Sequence, residues 1–258
     1  MRLSLLQLPS NIDGEAFVDL TVKVMEIKYQ GEVSIPAGNV RLKGELFIMK
    51  AAKAIIVFSH GGGSSRFSKR NQYVATYLRA HGFGTLLFDQ LTPEEDQNYY
   101  NRFAIDLLKE RLVSATIWLA KLPAAKDASI GYFGASTGAA CALRAASQLH
   151  DRIFAVVCRG GRPDLAMEDL PVVEAPTLLI VGSLDPQVLE FNREAYQELQ
   201  CEKHLEVVED ATHLFEEPGK LEKVGELAAQ LKKYQNDSGI VLAVPRGAFP
   251  LLIRLPGS

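Results

Sequence analysis

A repeated local pattern constrains this chain more than any other feature. Short apolar runs without alternation each empty into a glycine-rich or polar loop and then into a helical period. Ala54–Ser59, Phe83–Phe88, Ile153–Cys158 and Thr177–Val181 are such runs, and Ile130-Gly131-Tyr132-Phe133-Gly134-Ala135 is another. A strand wetted on one face alternates polar and apolar residues, so a run without alternation is covered on both faces, as in a parallel sheet flanked by helices. Helical periods separate the runs. They fall at Ser68–Ala80, closed by His81-Gly82; Arg102–Lys121, with Phe103, Leu107, Leu108, Leu112, Ala115, Trp118 and Leu119 on one side; Thr137–Leu149; Pro186–Leu199; and Pro218–Tyr234. Such strand-to-helix alternation predicts a doubly wound, mostly parallel α/β sheet whose sites lie at the carboxyl ends of its strands.

The flanks are less regular. Val22, Val24, Glu26 and Lys28, then Val33 and Ile35, predict a first antiparallel pair; Val40–Met49 is the next strand, with Pro36-Ala37-Gly38-Asn39 as its turn. Asp89–Asn101 is polar and acidic and reads as a loop, and a last strand near His204–Val208 leads into Glu209-Asp210-Ala211-Thr212-His213. Residues 1–20 carry no period and read as a lead-in, 21–235 as one α/β domain, and 236–258 as an apolar C-terminal extension. That stretch reads as a relic of a fused domain, or as an extension expected to pack on the body or on a second copy, the last of which would make a homo-oligomer.

Composition narrows the function classes. A net charge of -3 gives no basic field, so neither nucleic acid nor an anionic membrane is an expected partner. No run approaches the roughly 18 apolar residues of a membrane span, and Met1–Pro9 lacks the apolar length and cleavage site of a secretory leader. Cys141, Cys158 and Cys201 are odd in number and widely spaced, so they read as buried thiols of a reducing compartment, with no disulfide framework and no metal site. A cytoplasmic protein that acts through a small-molecule site is expected.

The site is announced by Gly134-Ala135-Ser136-Thr137-Gly138, where a buried strand turns straight into a helix of small residues. A serine on such a turn is lifted clear of the sheet, with glycines where side chains would collide; an ordinary βα turn is the alternative reading. The helix that follows aims its unpaired N–H groups and positive dipole end at whatever the serine attacks. A serine hydroxyl needs a base, usually a histidine held in one tautomer by a carboxylate. Of the five histidines, His81 and His150 fall at helix ends and His204 within a strand, where structural roles suffice. His213 follows the last strand and is expected to be the base. Asp185, just past the run Thr177–Val181, is expected to be the acid, its alternative being the N-cap of the helix that begins at Pro186. His60-Gly61-Gly62-Gly63 is expected to shape an oxyanion hole, with the N–H groups of Gly62 and Thr137 as donors and His60 and Gly61 lining the substrate. It lacks the lysine and spacing of a phosphate loop.

These residues, in the order Ser136, Asp185, His213, resemble the α/β-hydrolase superfamily, and within it the dienelactone-hydrolase-related esterases. The resemblance runs from about Val33 to Tyr234 and rests on His60–Ser65, Gly131–Gly138, Gly182–Asp185 and Ala211–Phe215. It implies an α/β-hydrolase fold and a hydrolase without metal or organic cofactor. Dienelactone hydrolases proper use a cysteine nucleophile; Ser136 in that place implies a serine carboxylesterase. The short stretch between Cys158 and Thr177 leaves no room for the large cap that many lipases of this fold insert there, which implies an open mouth and short acyl esters. Arg66, Arg70, Arg159 and Arg162 lie in loops after strands, and at least one is expected to steer an anionic ester. Lactonase, dienelactone-hydrolase-like, thioesterase or peptidase chemistry on the same residues is the first alternative, and a non-catalytic binding protein on a hydrolase scaffold the second. Residues 238–250 resemble an isolated fragment of the first core strand and the proline-arginine-glycine turn of phosphoribosyltransferases.

Overall fold

The computed structural model describes residues 26–231. The expectations for residues 1–25 and 232–258, including the apolar extension and the helical period as far as Tyr234, lie outside the described residues. The strands are β1 (Ile27–Ala37), β2 (Val40–Met49), β3 (Ala54–Ser59), β4 (Gly84–Phe88), β5 (Ser129–Ala135), β6 (Ile153–Arg159), β7 (Thr177–Gly182) and β8 (Lys203–Val208). The helices are α1 (Lys69–Ala80), α2 (Pro93–Asp96), α3 (Ile105–Ala120), α4 (Thr137–Leu149), α5 (Pro186–Glu198) and α6 (Lys220–Ala229). All eight strands join one sheet in the order β1-β2-β4-β3-β5-β6-β7-β8. β1 and β2 form an antiparallel hairpin, β2 is antiparallel to β4, and every later pairing is parallel. This is the α/β-hydrolase fold expected from the sequence.

Burial explains the missing alternation. Every residue of β3, β4 and β7 is buried, because α3, α4 and α5 cover one face of the sheet and α1 and α6 the other. The edge strand β8 is wetted and alternates. Between β6 and β7 the chain makes only two short 3-10 turns, Pro163–Ala166 and Leu170–Val172, so no cap domain is inserted between these strands. Fully buried Tyr132 on β5 is satisfied rather than stranded. Its hydroxyl donates to Thr116 Oγ1 of α3 at 2.7 Å, Thr116 itself donating to Leu112 O, and burial pushes the phenol well above its ordinary range. Among the described residues no helix is long and apolar enough to cross a membrane.

The structure corrects three local expectations. Lys28, Val33 and Ile35 do not belong to two paired strands; they lie on the single strand β1, which pairs with β2 from Ile27↔Met49 to Ala37↔Val40. The polar stretch Asp89–Asn101 is not all loop. It contains α2 and runs into a 3-10 turn, Tyr99–Phe103, so that α3 starts at Ile105 rather than Arg102. Cys141 and Cys158 are buried free thiols, raised by burial to about 12 and higher still, but Cys201 is only half-buried.

Candidate active site

Small residues bring the site together at the carboxyl edge of the sheet. A side-chain carbon at Gly134 would stand 2.5 Å from Ala139 Cα and 2.7 Å from Gly138 O, and one at Gly138 would collide with the carbonyls of Ser59 and His60. Helix α4 can therefore lie directly on β3 and β5. Ser136, between the two glycines, has φ 52° and ψ −124°. A non-glycine residue held there stores of order 1–3 kcal/mol. Hydrogen bonds on both sides hold the turn: Ser136 N–H donates to Arg159 O at 3.1 Å, and Ser136 O accepts from Ala139 and Arg162 N–H at 3.0 Å each. Thr137 opens α4, so its N–H has no acceptor within the helix and points to the side of Ser136.

Asp185 and His213 arrive from neighbouring strand ends. Gly182, last in β7, has no room for a side chain because the Ala211 carbonyl lies against it, and Leu184 N–H donates to Ala211 O at 3.0 Å. Asp185 occupies the N-cap position of α5 but makes no side-chain capping bond. Its Oδ2 instead accepts from His213 Nδ1 at 2.7 Å. The proton therefore sits on Nδ1, leaving the lone pair on Nε2. The His213 loop is fixed by fully buried Phe215, at φ 57°, and by Thr212, whose N–H and hydroxyl both donate to Glu217 Oε1. Gly160, at φ 51° and one residue past the Arg159 carbonyl that Ser136 holds, faces the imidazole; a methyl there would stand 3.4 Å from His213 Cε1. The imidazole thus lies on the β6 side of Ser136. Among the described residues no hydrogen bond joins Ser136 Oγ to it in this conformation; such contacts commonly tighten only when substrate is bound.

The glycine loop after β3 lies on the other flank. A methyl at Gly61 would stand 3.1 Å from Ser136 Cβ. Gly62 N–H points at Thr137 and donates to Thr137 Oγ1 at 2.9 Å. His60 is buried with both ring nitrogens engaged: Nε2 accepts from Gln90 N–H at 3.3 Å, and Nδ1 donates to Gly61 O at 3.0 Å. Burial holds its pKa below the ordinary value, so the ring is neutral. In a planar trans peptide the C=O and N–H point in opposite directions. By holding Gly61 O, His60 therefore turns Gly62 N–H towards Thr137 and away from itself. Gln90 is fully buried and anchors the arrangement, its side chain meeting Ser59 Oγ at 3.4 Å and donating to Leu108 O at 3.3 Å. Neither Gln90 nor the Thr137 hydroxyl stands out in the sequence, because each matters only through a partner distant in the chain.

The arginines divide, and two of the four do not lie in loops, Arg70 standing in the first turn of α1 and Arg159 ending β6. Arg66 pairs with Asp89, Arg70 with Glu216 at 2.6 Å, and Arg162 grips Asp164 with two bonds at 2.8 and 2.7 Å. Arg159 is different. It is 5% exposed and has no carboxylate partner among the described residues; Nη1 donates to His213 O at 3.4 Å, and the guanidinium lies 5.9 Å from the Phe215 ring. Burial, aided by the charge of Arg70, pushes its pKa down to about 10, which leaves it a cation at neutral pH. The other histidines serve locally: His81 Nδ1 bonds Tyr77 O, His150 faces Glu174 and His204 faces Glu202.

The profile of the dienelactone hydrolase family matches residues 43–236. The chain belongs to this family. A dienelactone hydrolase from Anabaena variabilis superposes with a TM-score of 0.78 at 48% identity, over 80% of this chain and 97% of that one. Carboxyl esterase 2 from the mycorrhizal fungus Tuber melanosporum shares the fold, with a TM-score of 0.62 at 18% identity over 82% of this chain and 89% of that one. Two Mycobacterium tuberculosis proteins named as putative phosphoribosyl transferases are 53% identical over 197 residues, 76% of this chain and 44% of theirs. The chain thus spans less than half the length of those relatives. Family match and topology thus agree on the α/β-hydrolase fold.

Proposed function

We propose that the protein is a serine carboxylesterase that hydrolyses small, short-acyl esters through an acyl-enzyme. The observation that carries the reading is the 2.7 Å bond between His213 Nδ1 and Asp185 Oδ2, set beside a serine on a strained strand-to-helix turn. His213 Nε2 takes the proton of Ser136 as Oγ bonds to the ester carbon. The carbonyl oxygen becomes an oxyanion held by Gly62 and Thr137 N–H, and the C–O bond to the alcohol breaks as His213 returns the proton to it. Water then repeats the sequence on the acyl-enzyme. Asp185 keeps the imidazole in the useful tautomer, and Arg159 and Gly160 fix where the ring stands. Because Arg66, Arg70 and Arg162 already face carboxylates, any steering of an anionic ester falls to Arg159. The lack of a cap inserted between β6 and β7 favours short acyl groups.

The name of the Anabaena neighbour favours a lactone as the second reading. A lactone is an ester closed on itself, and the same groups would open it. The tail resemblance agrees with the name of the mycobacterial relatives, and we infer that residues 236–258 belong with a phosphoribosyltransferase-like unit rather than with the hydrolase site.

The test is a series of p-nitrophenyl esters from acetyl to long acyl chains, with a simple lactone alongside, on wild type, Ser136→Ala and the chain shortened to residues 1–235. Short esters should be cleaved by the wild type and by the shortened chain. The serine variant should lose roughly 10⁴-fold or more in kcat while staying folded. Cleavage of the lactone alone would favour the second reading, and full activity in Ser136→Ala would remove Ser136 from the chemistry.

A further inference from the structure

Tyr99, Tyr100 and Phe103 are 64%, 82% and 45% exposed, an unusual concentration of wetted aromatic surface in one short 3-10 turn. The rings touch one another: Tyr99 lies 5.2 Å from Phe103 and 6.4 Å from Tyr100, centroid to centroid. The turn is also tightly held. Thr92 and Glu95 form a reciprocal capping box at the start of α2, and Arg102 grips Asp96 with two bonds at 2.7 and 2.8 Å. Asn101 Nδ2 donates to Glu95 O at 2.8 Å, and Asn98 Oδ1 accepts from Tyr100 N–H at 3.1 Å. Arg111 of α3, buried, bonds Glu95 at 2.6 Å and also Ala37 O, tying the whole segment to the hairpin. A loose loop would fold such rings away from water. Here a polar network keeps them out, which is the mark of a surface preorganised to bind.

Its place decides what it binds. A methyl at Gly62 would stand 2.7 Å from Phe103 Cε1 and 2.8 Å from Arg102 O, so the aromatic turn lies directly on the residue whose N–H is the proposed oxyanion donor. His213 stands on the opposite, β6 side of Ser136, by Gly160. In the tetrahedral intermediate the alcohol oxygen must face His213 to receive its proton, which leaves the β3–β4 flank to the acyl group. The large apolar residues exposed near His213 are aliphatic, Leu184 and Leu214. Building on the esterase reading, we propose that Phe103 and Tyr99 form an acyl subsite that prefers an aromatic ring, so that the favoured substrates are esters of small aryl-bearing acids. Ring-on-ring contact adds attraction beyond what a saturated group of the same size gains by burial.

The test compares methyl phenylacetate with methyl cyclohexylacetate, alike in carbon skeleton and leaving group, and adds benzyl acetate, which moves the ring to the alcohol. On the wild type, kcat/KM should favour methyl phenylacetate over the saturated ester about fivefold to tenfold. In Phe103→Leu, and separately in Tyr99→Leu, that ratio should fall towards one, while the ratio of benzyl acetate to methyl cyclohexylacetate changes little. A wild-type ratio near one, or a ratio that survives both substitutions, overturns the subsite while leaving the esterase standing. A preference for benzyl acetate that is lost in Phe103→Leu overturns the acyl assignment. No hydrolysis of any of the three, nor of the p-nitrophenyl series, overturns the esterase reading and the subsite with it.

Discussion

Two glycine-rich strand ends meet at Ser136, and they are held by different forces. After β5 the backbone has no freedom: Gly134 and Gly138 lie against main-chain atoms of α4 and of Ser59-His60, and Ser136 is held by main-chain hydrogen bonds to Arg159, Ala139 and Arg162. After β3 the loop is also close-packed, at Gly61 against Ser136 and at Gly62 against Phe103 and the Arg102 carbonyl, but side chains set its peptide planes, with His60 on Gly61 O, Gln90 N–H on His60 and Thr137 Oγ1 on Gly62 N–H, while Gly63 at φ 72° meets nothing. The proposed nucleophile thus rests on main-chain contacts, and the proposed oxyanion loop on side-chain hydrogen bonds as well. The first should be insensitive to pH and intolerant of a methyl group. The second should be tunable.

The sharpest way to break the comparison is one methyl group in each stretch. Gly138→Ala should cost about 3 kcal/mol or more, since backbone on both sides must move. Gly63→Ala has open space and meets only the strain of a left-handed residue, about 1–2 kcal/mol. Urea midpoints for the two variants would check this, and equal losses would show that Gly63 is packed as tightly as Gly138. A smaller effect is expected from Thr137→Val, which keeps the shape and removes the acceptor of Gly62 N–H. The loss of one hydrogen bond, about 1 kcal/mol, should lower kcat about fivefold, with Thr137→Ser restoring it. A rise in kcat would show instead that the hydroxyl competes with substrate for the amide.

The smallest effect is in pH. Burial holds the His60 pKa below its ordinary value, so the unfolded chain takes up this proton first as pH falls. The contribution to stability is complete above the unfolded value of about 6.5 and is lost as pH falls from there through the lower folded value. Denaturant midpoints of wild type and His60→Gln should therefore converge as the solution is acidified through that window. Parallel curves would mean that His60 carries no pH-dependent stability. The elbow has no titratable group of its own with which to mirror this.

Much of the site was legible in the chain because the reasons are local. An elbow serine needs glycine on both sides, and an unalternating run needs cover on both faces; both facts are visible in a few residues. The short helix α2 is missed by the reading of Asp89–Asn101 as a loop: Thr92-Pro93-Glu94-Glu95 carries a capping box with proline at the first helical position, but the acidic character of the stretch masks it. The continuity of β1 through Gly31 was not legible, because pairing with β2 along its whole length decides it. Asp185 was undecided between capping α5 and holding His213. The structure settles that it holds His213, since its side chain makes no capping bond.

The sequence by itself determined the doubly wound sheet, the residues at its carboxyl edge, and Ser136, Asp185 and His213 as candidates for the chemistry. Periodicity and turn sterics act over a handful of neighbouring residues and leave their record there. Only the tertiary structure decided that three of the four arginines are already paired and that Gln90 fixes the His60 tautomer. It also decided that Gly62 N–H meets the Thr137 hydroxyl, and that Phe103 lies on Gly62. Each of these depends on a contact between residues tens of positions apart, and such contacts exist only once helices on both faces of the sheet have set the distances between its strand ends.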